Sequence, residues 1–178
     1  MSSAEHKKHT PAHLKFAIIT VSTSRYEKNT GASNPGDTED GSGKLMIELV
    51  KEAGHTVWSY LLVPDQVNRI TDAVEKVQKQ VDAIIISGGT GISPMDVTIE
   101  AVSPLFIREI PGFGEFFREL SREDIGTAAM LSRAAAGIIN KDVIVFCLPG
   151  SPDGVRIALT RLILPEIGHL VKHARTVL

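Results

Sequence analysis

Residues 82–96 read DAIIISGGTGISPMD, and this stretch decides how the chain is organised. Its apolar run, 83–86, has the character of a buried strand and stops at SGGTG, residues 87–91. Three glycines in four positions allow positive φ and let a ligand approach the backbone, so the turn presents N–H groups to an anion such as phosphate. A tight strand-to-helix connection is the alternative. The ligand interpretation is favoured because a carboxylate, Asp96, follows Gly91 by five residues.

Composition indicates one domain without a marked charge excess. A chain of 178 residues with 43% hydrophobic content can bury one substantial core. The formal net charge of -2 disfavours nucleic acid as a partner. No apolar run reaches the roughly eighteen residues of a membrane span, and the amino terminus has no signal-peptide core. The single cysteine, Cys147, fits a reducing compartment, so a cytoplasmic protein without membrane contact is expected.

Two regions are expected along the chain: a disordered polar tail at 1–13 and one folded domain at 14–178. The tail contains HKKH, residues 6–9, which reads as a solvated segment in preference to a metal site. Strands are expected at 14–21, 56–63, 82–87 and 143–148, and helices at 44–53, 66–80, 96–102, 115–120, 127–136, 153–164 and 166–173. This alternation predicts an α/β domain with a mostly parallel sheet, covered by helices on both faces. The polar segment 22–43 is expected to be a long loop, either functional or disordered.

Several familiar sites are excluded by spacing. The segment DGSGKL, residues 40–45, lacks the first glycine and the final Ser or Thr of a Walker A loop, and no strand is followed by G-x-G-x-x-G. No histidine lies beside a glycine-rich turn. Cys147 falls within an apolar run and is expected to be an inert core thiol. A Ser-His-Asp or Cys-His catalytic site is therefore disfavoured.

Carboxylates cluster near the predicted strand ends. These residues are Asp37, Glu39, Asp40, Asp65 and Asp96. Carboxylates beside a phosphate nest repel an anionic ligand unless a cation lies between them, and Mg²⁺ held by one or two carboxylates plus substrate phosphates supplies that cation. A phosphate nucleophile is already ionised, so this pattern fits nucleotidyl transfer better than acid–base hydrolysis. For Asp65 and Asp96, N-capping of the following helix is an alternative, with a typical value of about 1 kcal/mol.

Four motifs in a fixed order resemble the MoaB/Mog family of molybdenum cofactor biosynthesis proteins, and the middle and end of the chain look closer to the MoaB branch. They are IIISGGTGISPMDVT (84–98), EIPGFGEFFRELS (109–121), MLSRAAAGI (130–138) and LPGSPDGV (148–155). The resemblance covers nearly all of residues 14–164. It implies a three-layer α/β fold, a homo-oligomer that is either a trimer or a hexamer, and other molybdenum cofactor biosynthesis proteins as further candidate partners. It also implies molybdopterin adenylyltransferase activity, with ATP and molybdopterin as substrates and Mg²⁺ as cofactor.

The resemblance also assigns roles to matched positions. Asp65 and Asp96 would be the acidic catalytic residues that hold Mg²⁺. The substrate-binding positions form three groups, namely a phosphate loop at Ser87, Gly88, Gly89, Thr90 and Gly91, a cleft-lining turn at Asp40, Gly41, Ser42 and Gly43, and a pterin-site loop at Pro149, Gly150, Ser151 and Pro152.

Two rival functions and two residue roles stay open at this point. Some MoaB-branch relatives lack the aspartate at the position of Asp65 and are thought not to adenylylate, so a non-catalytic molybdopterin-binding or scaffolding paralogue is the main rival to the enzyme. A general nucleotide- or phosphosugar-binding domain is a further rival. Phe113, Phe116 and Phe117 are expected to serve core or subunit packing in preference to ligand stacking. Arg133 suits either a phosphate contact or a surface ion pair.

Overall fold

The computed structural model describes residues 10–29 and 34–176. The strands are β1 (Lys15–Val21), β2 (Thr56–Val63), β3 (Ala83–Ser87), β4 (Phe106–Glu109), β5 (Ala135–Ile139) and β6 (Val143–Leu148). The α-helices are α1 (Thr23–Lys28), α2 (Gly41–Glu52), α3 (Val67–Val77), α4 (Thr98–Val102), α5 (Pro111–Ile125), α6 (Pro152–Ile157) and α7 (Leu164–Ala174). Short 3₁₀ turns occur at Pro35–Thr38, Ser103–Leu105 and Gly126–Leu131, and a π-helical segment, Ala158–Ile163, joins α6 to α7.

The six strands form one sheet in the order β2-β1-β3-β6-β5-β4. The first four of these strands are mutually parallel, whereas β5 and β4 add an antiparallel edge. The predicted α/β fold with a mostly parallel sheet flanked by helices is confirmed. Because parallel strands point the same way, the carboxyl ends of β1, β2, β3 and β6 meet at one edge of the molecule.

Two apolar cores lie on opposite faces of the sheet. Successive strand residues point to opposite faces, so Ile85 belongs to one core while Ile84 and Ile86 belong to the other. The first core is covered by α2, α5, α6 and α7, and the second by α3 and α4. Every residue of β3 and β6 is buried, which explains why their sequences are continuous apolar runs without alternation.

The helix expected at 127–136 was wrong. Residues 126–131 form a 3₁₀ turn, and Ala135–Ile139 then pairs antiparallel with β6. Alanine favours helices, but the small residues of β5 admit a close neighbour: a Cβ on Gly137 would overlap the ring of Phe106. Pairing with two neighbouring strands therefore overrides local propensity here.

Other boundaries also differ from expectation. The polar segment 22–43 contains helix α1, a 3₁₀ turn and the start of α2, while the edge strand β4 was missed. Helix α5 begins at Pro111 and runs to Ile125, longer than the expected 115–120. Of the predicted tail, residues 1–9 lie outside the described part of the chain. His13 contacts the domain through hydrogen bonds with the Gly54 carbonyl oxygen and the Thr56 hydroxyl. Across the described ranges, no helix combines the length and apolar character needed to span a bilayer.

Candidate active site

The candidate site lies at the carboxyl edge of the parallel strands. The segments that follow β1, β2, β3 and β6 begin there with Ser22, Pro64, Gly88 and Pro149 respectively. The chain passes from β1 outward to β2 and then crosses back to β3 on the other side of β1, so β1 and β3 flank a topological switch point. Open α/β sheets bind ligands at such a point.

The loop of residues 87–91, called the glycine loop below, packs too closely at Gly88 and Gly89 to admit a Cβ. Gly88 has φ of 105°, and a Cβ there would overlap the carbonyl oxygen of Val21. Gly89 has φ of 64°, and a Cβ there would overlap the hydroxyl of Thr98 and lie 3.2 Å from Asp65 Oδ1. Thr98 holds the loop through two hydrogen bonds. Its hydroxyl donates to the Gly88 carbonyl at 2.7 Å, and its N–H donates to the Gly89 carbonyl at 3.0 Å. The bare backbone expected from the sequence is therefore present at the strand end.

Asp65 is turned away from the helix that follows it. The N-cap residue of α3 is Gln66, which makes no side-chain cap hydrogen bond. Instead, Asp65 Oδ2 accepts hydrogen bonds from the N–H and the hydroxyl of Thr23, both at 2.8 Å, and the Thr23 hydroxyl accepts one from Asp65 N–H at 2.9 Å. The capping alternative is wrong for α3. The carboxylate satisfies the amino end of α1 and keeps its other oxygen beside Gly89.

Asp96 also leaves its following helix uncapped. The N-cap position of α4 is Val97, and Asp96 Oδ2 accepts from the N–H of Ser93 at 3.0 Å. A Cβ on Gly91 would lie 2.8 Å from the same oxygen, so the carboxylate borders the glycine loop. Asp65 and Asp96 therefore approach one five-residue loop, at glycines two positions apart.

Arg133 holds the Asp96 segment in place. Its Nε donates to the Gly91 carbonyl at 2.7 Å and its Nη2 to the Asp96 carbonyl at 2.8 Å, while its backbone N–H donates to the Thr90 carbonyl at 3.1 Å. The guanidinium also pairs with Glu100 and so lowers the pKa of that exposed carboxyl group. The ion-pair interpretation of Arg133 is thus correct, and the fork geometry of arginine adds a clamp on both ends of residues 91–96.

In the turn at residues 40–43, Ser42 is the residue that contacts another loop of the candidate site. Asp40 is fully buried: it accepts from the N–H of Gly43 at 3.0 Å as the α2 N-cap and from the Tyr60 hydroxyl at 2.8 Å. Burial, with a smaller effect from the Asp40 hydrogen bond, raises the pKa of Tyr60 to about 12. Asp40 is therefore a structural carboxylate outside the cleft. Ser42 donates to the Gly150 carbonyl at 2.8 Å and so joins α2 to the loop after β6.

The loop at 149–152 lies against the glycine loop and separates two cavities. A Cβ on Gly150 would be 3.5 Å from Gly88 Cα, and the Ser87 hydroxyl donates to the Pro149 carbonyl at 3.2 Å. A cavity of about 150 Å³ is lined by Gly89, Thr90, Gly91, Asp96, Ser132, Pro149 and Gly150. A second cavity, of about 650 Å³, shares Ser132 and Pro149 with it and extends along α5 and α6. Ser151 and Pro152 open α6, where the Ser151 hydroxyl accepts from Gly154 N–H at 3.2 Å.

The remaining candidates have structural positions. Phe113 and Phe117 are buried in the first core, whereas Phe116 is 59% exposed. Cys147 is fully buried, which raises its thiol pKa to about 12, so it is not a thiolate nucleophile.

Sequence reasoning missed Thr23 and Thr98. The rule that selected Asp65, a polar side chain directly after a strand end, applies equally to Thr23, whereas nothing local marks Thr98.

Comparison with known proteins agrees with this arrangement. Residues 17–169 match the family described as "Probable molybdopterin binding domain". The chain is 45% identical to Molybdenum cofactor biosynthesis protein B of Bacillus subtilis (strain 168) over 178 residues, covering 98% of each. It is 40% identical to a protein of Pyrococcus furiosus named Molybdopterin adenylyltransferase, covering 98% of this chain and 99% of the relative.

Solved structures give the same result. The crystal structure of the tungsten cofactor synthesizing protein MoaB from Pyrococcus furiosus superposes with a TM-score of 0.81 at 40% identity, covering 93% of this chain and 99% of that one. The fold, the order of the strand-end loops and a sequence identity of 40% and 45% to two relatives over nearly the full length lead to one assignment. This chain belongs to the MoaB/Mog family of molybdopterin-binding proteins of molybdenum cofactor biosynthesis.

Proposed function

We propose that this protein acts in molybdenum cofactor biosynthesis by adenylylating molybdopterin. A terminal phosphate oxygen of molybdopterin attacks the α-phosphorus of ATP. One P–O bond forms, the bond between the α-phosphorus and the bridging oxygen breaks, and pyrophosphate leaves with the electron pair. The observation that carries the proposal is the meeting of Asp65, Asp96 and the Gly88–Gly91 backbone at one sheet edge. Two relatives support it, one named Molybdenum cofactor biosynthesis protein B and the other Molybdopterin adenylyltransferase.

The donor set fits Mg²⁺ shared with substrate phosphates. Asp65 and Asp96 offer carboxylate oxygens, the ligands that Mg²⁺ prefers. Within residues 10–29 and 34–176, no group of three or more His, Cys, Asp or Glu side chains has the spacing of a metal site. Two carboxylates completed by phosphate oxygens match that finding better than a cage made only of protein ligands. When bound, Mg²⁺ supplies neutralisation of the phosphate charge.

The chain's own groups then position the reactants. The missing Cβ atoms at Gly88 and Gly89 let the loop pack against Val21 and Thr98. Gly89, Thr90 and Gly91 then line the smaller cavity, where phosphate oxygens can approach the main chain. Thr23 fixes one oxygen of Asp65, and Arg133 fixes the backbone of Asp96. The phosphate nucleophile is ionised near neutral pH, so no general base is required. Catalysis in this proposal is positioning plus charge neutralisation.

The two cavities suggest a division between the substrates. The larger one has a volume of about 650 Å³, within the range of small-molecule sites, and Pro149 and Ser151 border it. Inside its lining, the buried Ser121 hydroxyl has no hydrogen-bond partner within the described residues. We assign the pterin to this cavity and the reacting phosphates to the smaller one beside Asp96, with the shared residues Ser132 and Pro149 at the junction.

A homo-oligomer, either a trimer or a hexamer, is part of the proposal, as is a cytoplasmic location. Large apolar side chains are exposed on α5 and the turn after it, with Phe116 at 59%, Ile125 at 57% and Met130 at 76%. A contact with a second copy of the chain would bury Phe116 and Met130, whereas Ile125 also lines the larger cavity. Analytical ultracentrifugation at several protein concentrations tests this part, because a monomer at all of them contradicts it.

Incubation of the protein with molybdopterin, Mg²⁺ and ATP tests the activity. We expect adenylylated molybdopterin and pyrophosphate, and no product from Asp96→Asn, because the amide keeps an oxygen for the Ser93 N–H but removes the negative charge. Tight pterin binding without product in the wild type would support the non-catalytic paralogue. ATP binding without pterin binding would support a general nucleotide-binding domain. Full activity in Asp96→Asn would show that this carboxylate only shapes its loop.

A further inference from the structure

Helix α7 carries a histidine pair outside the candidate active site. His169 and His173 are four residues apart and therefore neighbours on one helix face. Their Nε2 atoms are 2.8 Å apart, and their ring centroids are 4.6 Å apart with the planes at 67°. Two imidazole nitrogens at this distance share one proton, so at least one of them contributes a lone pair.

A carboxylate lies beside the first ring of the pair. The Nδ1 atom of His169 lies 3.4 Å from Glu166 Oε2, one turn earlier on the same helix. A carboxylate at Nδ1 favours the tautomer with its proton on that nitrogen, and this leaves the Nε2 lone pair of His169 directed at His173. A carboxylate on the outer nitrogen of a ligating histidine is a recurring support of metal sites.

We propose that His169 and His173 form a chelating site for a divalent transition metal ion of the Cu²⁺ or Ni²⁺ type. With metal–nitrogen distances of about 2.0–2.1 Å, a separation of 2.8 Å between the nitrogens gives a ligand angle of roughly 85–90° at the metal. That angle suits neighbouring positions in square-planar or octahedral coordination, the geometries of Cu²⁺ and Ni²⁺. Tetrahedral Zn²⁺ requires the nitrogens to separate to about 3.3 Å.

The pair acts as a bidentate site. Over the described part of the chain, no group of three or more metal-binding side chains is present, so the pair supplies two of the ion's ligands. The ion takes the place of the proton between the two nitrogens, and that proton moves to Nδ1 of His173, so both ligands bind as neutral imidazoles. Among the divalent ions of the first transition row, Cu²⁺ binds such imidazole sites most tightly.

Metal binding here stabilises the carboxyl-terminal helix. The same helix buries Ile167 and Val171 in the first core, and just after its end Arg175 pairs with Asp82 and Asp142, at the amino ends of β3 and β6. The end of α7 thus lies at the sheet edge opposite the candidate active site. A ligand that binds the folded helix but not the unfolded chain raises the unfolding temperature as its concentration increases.

Titration of the full chain with Ni²⁺, followed by calorimetry, and with Cu²⁺, followed by electron paramagnetic resonance, tests the site. We expect one ion per chain with two nitrogen ligands, and at least tenfold weaker binding in His169→Ala and in His173→Ala. The variant Glu166→Gln is expected to bind about tenfold more weakly because the orienting carboxylate is lost. The matched control is His13→Ala, whose ring contacts the Gly54 carbonyl oxygen and the Thr56 hydroxyl, and it is expected to leave affinity unchanged. Replacing His6 and His9, in the HKKH segment, by alanine tests whether that segment supplies the ligands instead, and affinity is again expected to be unchanged.

Thermal unfolding provides a second readout. Wild-type protein is expected to gain stability on addition of Ni²⁺, and His173→Ala is expected to gain none. Circular dichroism establishes that each variant is folded before titration. Undiminished affinity in both α7 variants, or loss of affinity only when His6 and His9 are replaced, would overturn the proposal. Both outcomes are independent of whether the protein adenylylates molybdopterin.

Discussion

Thr23 and Asp65 hold each other through three hydrogen bonds between the segments that follow β1 and β2. The Thr23 hydroxyl donates to Asp65 Oδ2 and accepts from Asp65 N–H, so one side chain fixes both the carboxylate and its backbone. Because only Oδ2 is bound by Thr23, Oδ1 stays beside Gly89. Thr23 is therefore a positioning residue for the carboxylate assigned to Mg²⁺.

Replacing Thr23 by valine tests this positioning. Valine keeps the shape of threonine but removes the hydroxyl, so Asp65 loses one donor and its N–H loses an acceptor. We expect the Mg²⁺ concentration for half-maximal activity to rise about 10- to 100-fold, as for other groups that orient metal ligands, with the KM for molybdopterin unchanged. Thr23→Ser should retain near wild-type behaviour. Equal Mg²⁺ dependence in all three proteins would show that the contact serves folding alone.

A side chain at Gly89 is expected to block the phosphate loop. In Gly89→Ala the Cβ would overlap the Thr98 hydroxyl and crowd Asp65 Oδ1, in addition to the strain of positive φ. We expect loss of ATP binding, measured by calorimetry, and destabilisation of about 1–3 kcal/mol. Gly54→Ala is the matched control, since Gly54 has φ of 84° but open space around it, so it isolates backbone strain. Wild-type ATP affinity in folded Gly89→Ala would contradict the anion nest.

Arg133 is expected to act on catalysis through Asp96. Lysine keeps the charge but cannot donate from one planar fork to the carbonyl groups of Gly91 and Asp96. For Arg133→Lys we expect kcat/KM to fall about 100-fold, the typical cost of a displacement near 1 Å. The loss should appear in kcat and in the Mg²⁺ requirement. Arg161→Lys, at an exposed pair with Glu123, is the control and should leave both unchanged.

His55 is expected to make stability pH-dependent. Burial, followed by the neighbouring His13, lowers the pKa of His55 below its ordinary 6.5, while Asp82 opposes this. The unfolded chain therefore takes up a proton first as the pH falls. The contribution of His55 to the free energy of unfolding is therefore fully present above about pH 6.5 and is lost as the pH falls below that value. In His55→Asn, whose amide oxygen can accept from Leu14 N–H in place of Nδ1, Tm should fall less between about pH 7 and about pH 5.5. An identical fall in both proteins would contradict this assignment.

Sequence patterns predicted the parts of the fold that are determined locally. The strands β1, β3 and β6 were found because burial on both faces gives continuous apolar runs, and the helix α3 was found because burial on one face gives helical spacing. Strand β5 was missed because its alanines favour a helix in isolation. Strand β4 was missed because it is a short, largely exposed edge strand with no pattern of its own.

The candidate site, like the fold, was only partly predictable from the sequence. The SGGTG turn, Asp65 and Asp96 could be identified from the sequence, because each follows a strand end and strand ends of a parallel sheet meet. Capping and ligation could not be separated for the aspartates, since both require the same residue at the same position. The contacts by which Thr23 holds Asp65 and Arg133 holds the loop had to be seen in the structure, since each joins residues about forty positions apart.

The order of residues alone therefore determined that the chain is an α/β protein with a glycine turn and acidic residues at its strand ends, because burial and backbone freedom leave a local signature. Only the tertiary structure decided which of those acidic residues face the turn and which, like Asp40, are buried supports. A carboxylate looks the same in sequence in either role. Its partners, supplied by segments distant along the chain, determine what it does.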